Sequence, residues 1–433
     1  MTSNNILVYP DNLMSANEFA YIIKECNLSA TVVLASETLK QPFSQIEQVD
    51  FIYLNNKNAK AEEVTTENNK RKRKENSVLH LFLKRILLTP LSVLSFYKKY
   101  LSIKKSVPSN FKQALIANDR SYADGYILPF YYFCKKEKIK MIIPSTATFA
   151  TKEGMLRARV SRKEKFAVTW LEKVLCNHLV VDFEGTKLCY YPINTIIALK
   201  IFGVLSKNPW VMGANNNATL CLNNQKSKLE YLNAGVDEEN IIVTGSYKIK
   251  DAYLNERKRI GVIGFALPQM YEHDILSWSE HIAIIENVLS GICNLEKEVI
   301  VFLHPKMDKS NYHYLESRYN CKISEQRTDV GLKSVDIYIA TFSTTVLTAT
   351  THGIPSLVID CFDANYKMFD DYASIKVFKE IQCLVSELGA YVRDPNRYVE
   401  LKKEVFSDSK LIDDEPGRGM LKLKQLIENE IQL

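Results

Sequence analysis

Apolar positions along this chain fall into two rhythmic stretches, with a polar and basic interruption inside the first. Short β-branched runs open it: NILVY (Asn5–Tyr9), ATVVLAS (Ala30–Ser36) and VDFIYL (Val49–Leu54), with a helical stretch, Ala16–Cys26, after the first run. Such runs alternating with helical patterns predict parallel sheet built from βα units. After the interruption come a strand in FKQALIANDR (Phe111–Arg120), a helix over Ser121–Lys135, and strands in IKMIIPST (Ile139–Thr146) and ATLCLNN (Ala218–Asn224). A helix follows, and GVDEENIIVTGSYKIKDAY (Gly235–Tyr253) supplies a turn, a strand and a glycine-ended loop that closes a first domain.

A second βα series starts at RIGVIGFAL (Arg259–Leu267). It continues through a helix at Asp274–Ile292, the strand EVIVFLHP (Glu298–Pro305), a helix at Lys309–Tyr319, the strand VDIYIA (Val335–Ala340), a helix at Ser343–His352 and the strand SLVID (Ser356–Asp360). The predicted fold class is α/β: two doubly wound Rossmann-like domains facing a cleft at the carboxyl ends of their strands. The predicted domains span residues 1–254 and 255–410, and the final segment, 411–433, reads as a helix.

The interruption, residues 55–108, reads as a helical basic insertion. Lys57–Asn69 is polar, KRKRK (Lys70–Lys74) follows, and Pro90 divides the apolar stretch Ser77–Lys105 into two predicted short helices. Residues 70–105 hold eleven Lys/Arg and one acid, so this segment carries +10 of a net +6 and the remainder carries −4. A basic, amphipathic, non-spanning segment fits a membrane-surface helix. A helical hairpin packed on its own domain, with a solvated basic face, fits as well. The mildly acidic remainder does not fit a nucleic-acid-binding fold, which carries its basic face on the domain itself.

Composition adds bounds. The chain has 433 residues, 46% apolar and 24% charged, enough for two full cores. Nine cysteines without a CxxC pair indicate reduced thiols. The start, MTSNNILVYP, lacks a signal pattern, and no run of about eighteen apolar residues occurs. The expected location is cytoplasmic, peripheral to the inner face of the plasma membrane.

Candidate chemistry collects at predicted strand ends. His304, Pro305 and Lys306 close one strand, where a ring nitrogen and an ammonium can meet phosphate oxygens, or where the histidine is simply structural. Ser343, Thr344 and Thr345 open the helix after the next strand. The helix N-terminus and three hydroxyls together suit an anion, although a plain serine cap explains them too. Gly264, inside the strand Arg259–Leu267, is placed with the donor-binding positions. In the first domain Asp119 ends a strand and Asp124 lies in the first turn of the next helix; either can act as a base or merely pair and cap. Glu153, Arg157 and Arg159 are the acceptor-binding candidates. No HExxH, GxSxG or Walker lysine loop is present, so no metal and no cofactor is expected.

The layout resembles GT-B glycosyltransferases. NIIVTGSYKIKDAY resembles the inter-domain segment of that superfamily, which includes UDP-N-acetylglucosamine 2-epimerases. HPK (His304–Lys306) and STT (Ser343–Thr345) are similar to the His-Pro and Ser/Thr motifs of bacterial GT-B sialyltransferases and related Kdo transferases, which contact the donor. YADG (Tyr122–Gly125) partly matches their acidic motif, with Ala123 in place of an acid; the resemblance implies Asp124 as base, whereas the epimerase-like reading of NDRSYADG favours Asp119. It further implies a metal-independent glycosyltransferase using a nucleotide-sugar donor, a CMP-nonulosonate or CMP-Kdo among others, in capsule or lipopolysaccharide synthesis. The partners implied are that donor, a glycan or glycolipid acceptor, and a membrane surface through residues 70–105. Alternatives are a CDP-polyol phosphotransferase of the teichoic-acid type, a UDP-sugar epimerase and a non-catalytic GT-B scaffold.

Overall fold

The computed structural model describes residues 5–54, 78–120, 125–144, 156, 168, 170–215, 217–248, 257–268, 277–304, 307–341, 343, 345–360 and 369–428. The chain forms two compact units, residues 1–244 with 420–433 and residues 245–419.

The first unit carries strands β1 (Ile6–Tyr9), β2 (Ala30–Leu34), β3 (Val49–Tyr53), β4 (Gln113–Ile116), β5 (Lys140–Ile143), β6 (Val180–Phe183), β7 (Thr186–Cys189), β8 (Ala218–Leu222) and β9 (Ile241–Val243). Seven of them form one sheet in the order β3-β2-β1-β4-β5-β8-β9, and β6 and β7 pair as a separate antiparallel hairpin. All pairings in the large sheet are parallel. Every residue of β1, β2, β4 and β8 is buried, as parallel strands covered on both faces must be. The strand order reverses between β1 and β4, the topological switch point of this sheet. Helix Leu13–Cys26 starts at a capping box: the Asn12 side chain accepts from the Ser15 N–H, and Ser15 Oγ accepts from the Asn12 N–H.

The apolar stretch after the basic run forms one helix, Val78–Ser106, with Pro90 inside it, instead of the two short helices expected. Pro90 lies at an exposed position. A proline inside a helix costs about 3 kcal/mol. Phe96, Tyr100 and Ile103 are buried in the first unit's core, and each such side chain contributes about 1.5–3 kcal/mol, so packing outweighs the break. Phe96, Tyr100 and Ile103 therefore pack this helix on its own domain, as a single helix and not as the hairpin that one of the two readings expected. Residues 55–77, including KRKRK, lie outside the described residues.

The helix Gly419–Ile427 returns to the first unit. Gln113 Nε2 donates to the Leu426 carbonyl (3.3 Å), Cys26 Sγ lies 3.4 Å from Met420 Sδ, and Leu423 and Leu426 are buried.

The second unit holds β10 (Val262–Ala266), β11 (Glu298–Phe302), β12 (Lys322–Ile323), β13 (Ile337–Ala340), β14 (Ser356–Ile359) and β15 (Ile375–Phe378) in the order β12-β11-β10-β13-β14-β15, all parallel. Its switch point lies between β10 and β13. The sequence reading lacked β12, β15 and the helices Ile381–Arg393 and Pro395–Ile412. The second of these helices starts on Asp394, whose carboxylate accepts from the Asn396 and Arg397 N–H groups. At the opposite end of the sheet from the switch-point rim, buried Asp336 joins β13 to β10. Its carboxylate accepts from the N–H groups of Gly261 (2.8 Å) and Val262 (2.9 Å) and meets Arg257 Nη1 at 3.2 Å.

The two segments where the chain enters and leaves this unit are tied together. Ser246 N donates to Asp413 Oδ2 (2.9 Å), and Glu415 N donates to Asp413 Oδ1 (3.0 Å). Gly419 packs so closely that a Cβ there would lie 2.4 Å from the Ser246 carbonyl.

Candidate functional site

The register of the second sheet decides which residues share its rim. Ala266 stands opposite Phe302, Phe265 opposite Ile339, and Ala340 opposite Val358. His304 lies two residues beyond β11 and Thr341 one beyond β13, and β11 and β13 both flank β10. The His-Pro and hydroxyl motifs, about forty residues apart in sequence, thus emerge on either side of one strand at the carboxyl rim. His304 is half-buried, and its carbonyl accepts from the Met307 N–H (2.8 Å), closing a turn. Pro305, Lys306 and Thr344 lie outside the described residues.

The hydroxyls after β13 form a chain. Tyr338 OH and Thr345 Oγ1 are 2.6 Å apart, and Thr345 Oγ1 and Ser343 Oγ are also 2.6 Å apart. Burial pushes the Tyr338 phenol above its ordinary range and keeps its proton on. Three hydroxyl protons serve two shared bonds. With Tyr338 donating to Thr345 and Thr345 to Ser343, the Ser343 proton remains to be offered to an oxyanion. Ser343 also caps the helix Thr345–Thr351: its Oγ accepts from the Thr345 N–H (3.2 Å), and its carbonyl accepts from the Val346 N–H (3.2 Å). The helix has seven residues, and these two amides are already engaged. The capacity of this turn for an anion therefore rests on its hydroxyls, more than on the free amides and helix dipole expected from the sequence.

Gly264 does not reach this rim. It is buried in the middle of β10, and a Cβ there would lie 3.1 Å from Phe302 Cε2 and 3.1 Å from Val335 Cγ1. The glycine makes room for core side chains, which corrects its placement among the donor-binding residues.

Asp119 is 1% exposed, and its two carboxylate oxygens accept from the N–H groups of Gly213 (3.0 Å) and Asn215 (3.2 Å). Asn215 Nδ2 returns a bond to the Asp119 carbonyl (2.6 Å). Burial raises its carboxyl above the ordinary range, and the Gly213 N–H and the Arg120 charge counter this. Arg120 in turn donates to the Trp210 carbonyl, and Tyr191 OH donates to the Arg120 carbonyl. This arrangement clasps the loop before β8 to the end of β4. It corrects the expectation of a base at Asp119, because the carboxylate is enclosed and occupied. Asp124, Glu153, Arg157 and Arg159 lie outside the described residues.

One rim carboxylate was missed in the sequence. Asp11 follows β1 at the first unit's switch point and is half-buried. Its Oδ1 accepts from Ser15 Oγ (2.8 Å) and Asn12 Nδ2 (2.8 Å), and its Oδ2 accepts from Asn118 Nδ2 (2.9 Å), which joins the ends of β1 and β4. The signal was an acid two residues past an apolar run and directly before a helix cap, in NILVYPDN. Among the described residues no group of three His, Cys, Asp or Glu side chains is placed to hold a metal ion.

No protein-family profile and no curated protein matches the chain. Solved structures do. The calicheamicin glycosyltransferase CalG4 matches with a TM-score of 0.56 at 10% identity, covering 99% of this chain and 98% of that one. The wall teichoic acid polymerase TagF, with CDPG, matches at 0.51 and 15% identity over 99% and 88%. UGT71G1 of Medicago truncatula, complexed with UDP-glucose, matches at 0.51 and 10% identity over 99% and 98%. The chain has the two-domain α/β fold of GT-B proteins. Identity this low establishes the fold alone, and one fold hosts many activities.

Proposed function

We propose that this protein is a glycosyltransferase that takes a nucleotide-activated donor at the rim of its second unit. The hydroxyl chain Tyr338–Thr345–Ser343 carries the reading, because with Tyr338 and Thr345 donating along it the Ser343 hydroxyl is able to donate to a phosphate oxygen next to the switch point, where α/β sheets bind nucleotides. His304 follows the strand on the other side of β10 and supplies a second donor to the same phosphates, with Lys306 adding charge. Both groups stabilise the negative charge that grows on the leaving nucleotide. The acceptor hydroxyl loses its proton to a carboxylate of the first unit. Asp124 keeps that role in this reading, and Asp11, at the first unit's rim, is a further candidate. Glu153, Arg157 and Arg159 are proposed to bind the acceptor, and no metal or cofactor is invoked. The matched structures with CDPG and UDP-glucose support a cytidine or uridine diphosphate donor as the first to try. A CMP-linked acidic sugar stands as an alternative donor.

Peripheral attachment to an anionic membrane belongs to the same proposal. No helix among the described residues is long and apolar enough to cross a membrane. On the helix Val78–Ser106, Phe96, Tyr100 and Ile103 are buried, while Leu87, Leu91 and Leu94 are 74%, 59% and 53% exposed. Leu87 and Phe96 are nine residues apart, about two and a half turns, so they stand on opposite sides. Exposed Lys98, Lys104 and Lys105 share this helix. Two copies meeting through the face would set like charges together, whereas an anionic bilayer complements it.

The deciding experiment is a thermal-shift and turnover screen of CMP, CDP, UDP and GDP conjugates. Stabilisation by one nucleotide class that is lost in His304→Ala and Ser343→Ala supports the transferase. Stabilisation unchanged in both variants removes the proposed donor site.

A further inference from the structure

The exposed leucines of the helix Val78–Ser106 have an apolar neighbour from a distant part of the chain. The short helix Trp170–Leu175 leaves Trp170, Val174 and Leu175 exposed at 64%, 56% and 56%. Trp170 and Val174 are four residues apart and so lie on one face. Glu172, between them, is fully buried and turned inward: its Oε1 accepts from the Ile193 N–H (3.0 Å) at the start of the helix Ile193–Ile201. The next residue of that helix, Asn194, donates from Nδ2 to Ser92 Oγ (2.8 Å). Ser92 belongs to the helix Val78–Ser106 and directly follows exposed Leu91. Two elements that each expose apolar side chains are therefore held to consecutive residues at the head of a third helix.

Charge follows the same pattern. The one acid of the helix Trp170–Leu175 is the inward Glu172, so its exposed charge is Lys173. Lys173 lines a basin of about 380 Å³ with Lys187, Asn177, Val180 and Asp182. Lys187 and Asp182 stand opposite each other in the β6–β7 hairpin. Two cations against one acid leave the basin net positive.

We infer that the helix Trp170–Leu175 is a second membrane-contact element, with the Trp170 indole seated among the lipid head groups and Val174 beside it. The inference rests on the membrane attachment proposed for the helix Val78–Ser106 and extends it to a separate segment. An anionic bilayer is the occupant that fits. An indole has a large apolar body and a single N–H donor, which suits the boundary between head groups and hydrocarbon. Lys173 and the positive basin beside it complement lipid phosphates. A second copy meeting through the same surface would set these lysines, and those of the neighbouring helix, against one another. The consequence is orientation: contact through one helix leaves the first unit free to roll about that helix, and a second contact off its axis stops the roll.

The test uses the full chain and vesicles of equal phosphatidylglycerol and phosphatidylcholine, with and without brominated acyl chains, read by tryptophan emission. Brominated chains quench an indole that lies against them. The chain has three tryptophans: exposed Trp170, buried Trp210 and Trp278 of the second unit. Brominated vesicles should quench the unmodified protein, and Trp170→Phe should remove most of that quenching, whereas Trp278→Phe should leave it unchanged. Val174→Asp should weaken vesicle binding about tenfold. Trp170 and Val174 are exposed, so neither of their variants should lose stability. Quenching that persists in Trp170→Phe, or that disappears in Trp278→Phe, overturns the proposal. Vesicle binding without quenching overturns it as well and leaves the leucine stripe as the contact; no vesicle binding at all removes the stripe with it. Sedimentation without lipid checks the rival occupant: self-association that Trp170→Phe abolishes would overturn the proposal and assign the face to a second copy.

Discussion

Tyr338 and Thr345 share a 2.6 Å hydrogen bond between a fully buried phenol and the first residue of the helix that follows its strand. The bond connects the core of the second unit to its rim, because Thr345 also meets Ser343. Removing either partner should therefore affect both stability and binding. Thr345→Val leaves the Tyr338 hydroxyl unpaired in the core, at a cost of about 1–3 kcal/mol. Tyr338→Phe added to it should recover part of that loss. Urea unfolding of the single and double variants measures the coupling, and additive losses would show that the two hydroxyls do not act together.

Ser343→Ala removes the terminal hydroxyl of the chain and a helix cap. The expected loss is about 1 kcal/mol in stability and about tenfold in nucleotide affinity, equivalent to about 1.4 kcal/mol. Ser343→Thr should restore most of both. Calorimetric titration of the nucleotide found in the screen checks the affinity, and a change in stability alone would leave Ser343 a cap only.

Asp119 makes a prediction with a definite sign. Burial raises its folded-state carboxyl above the ordinary value, so the folded chain binds the proton more tightly than the unfolded one. Its contribution is present below the unfolded value, about 3.9, and declines as pH rises through the folded value. Asp119→Asn should remove that decline. It should also cost about 1–3 kcal/mol, because an amide group cannot accept from both Gly213 and Asn215 through two oxygens. Unfolding free energies across a pH series distinguish this from a role in turnover.

Two glycines should rank in a set order. At Gly264 a methyl would press on side-chain atoms of Phe302 and Val335 at 3.1 Å, which can shift, so Gly264→Ala should cost about 1 kcal/mol. At Gly419 it would meet the Ser246 backbone at 2.4 Å, so Gly419→Ala should cost about 3 kcal/mol or more. Thermal unfolding gives the order, and a smaller loss at Gly419 would contradict the close packing of the two connecting segments.

Burial pushes the thiols of Cys26 and Cys221 up to about 12. At pH 8 both therefore stay overwhelmingly protonated. Cys383 is exposed. A thiol reagent at pH 8 should label Cys383 rapidly, and Cys26 and Cys221 only at the rate of unfolding. Rapid labelling of the buried pair would show local opening.

The Leu91→Asp, Leu94→Asp double variant should lose most binding to anionic vesicles without losing stability, since both side chains are exposed. Raised salt should weaken the unmodified protein in the same assay. Co-sedimentation measures both, and full binding by the variant would end the membrane proposal.

The βα rhythm, its two halves and the strand ends were legible in the sequence, because runs such as ATVVL and the VIVF of EVIVF are nearly continuous in apolar residues, as strands covered on both faces of a sheet are. The two-residue β12 was not, since a strand so short carries no period of its own. Pro90 misled for the same reason: a local rule predicted a break, and the burial of Phe96, Tyr100 and Ile103 against distant segments outweighed it. At the sites the division is sharper. Residue types by themselves marked His304 and Ser343 as chemistry at strand ends. Parallel pairing of β11 and β13 with β10 put them on one rim, and non-local contacts turned Asp119 into a clasp and Gly264 into a packing position. Hydrophobic period is a property of neighbours in the chain, and so the sequence states it directly. Which carboxylate is enclosed and which hydroxyls come within reach of one another depends on segments brought together by folding, so only the tertiary structure decides them.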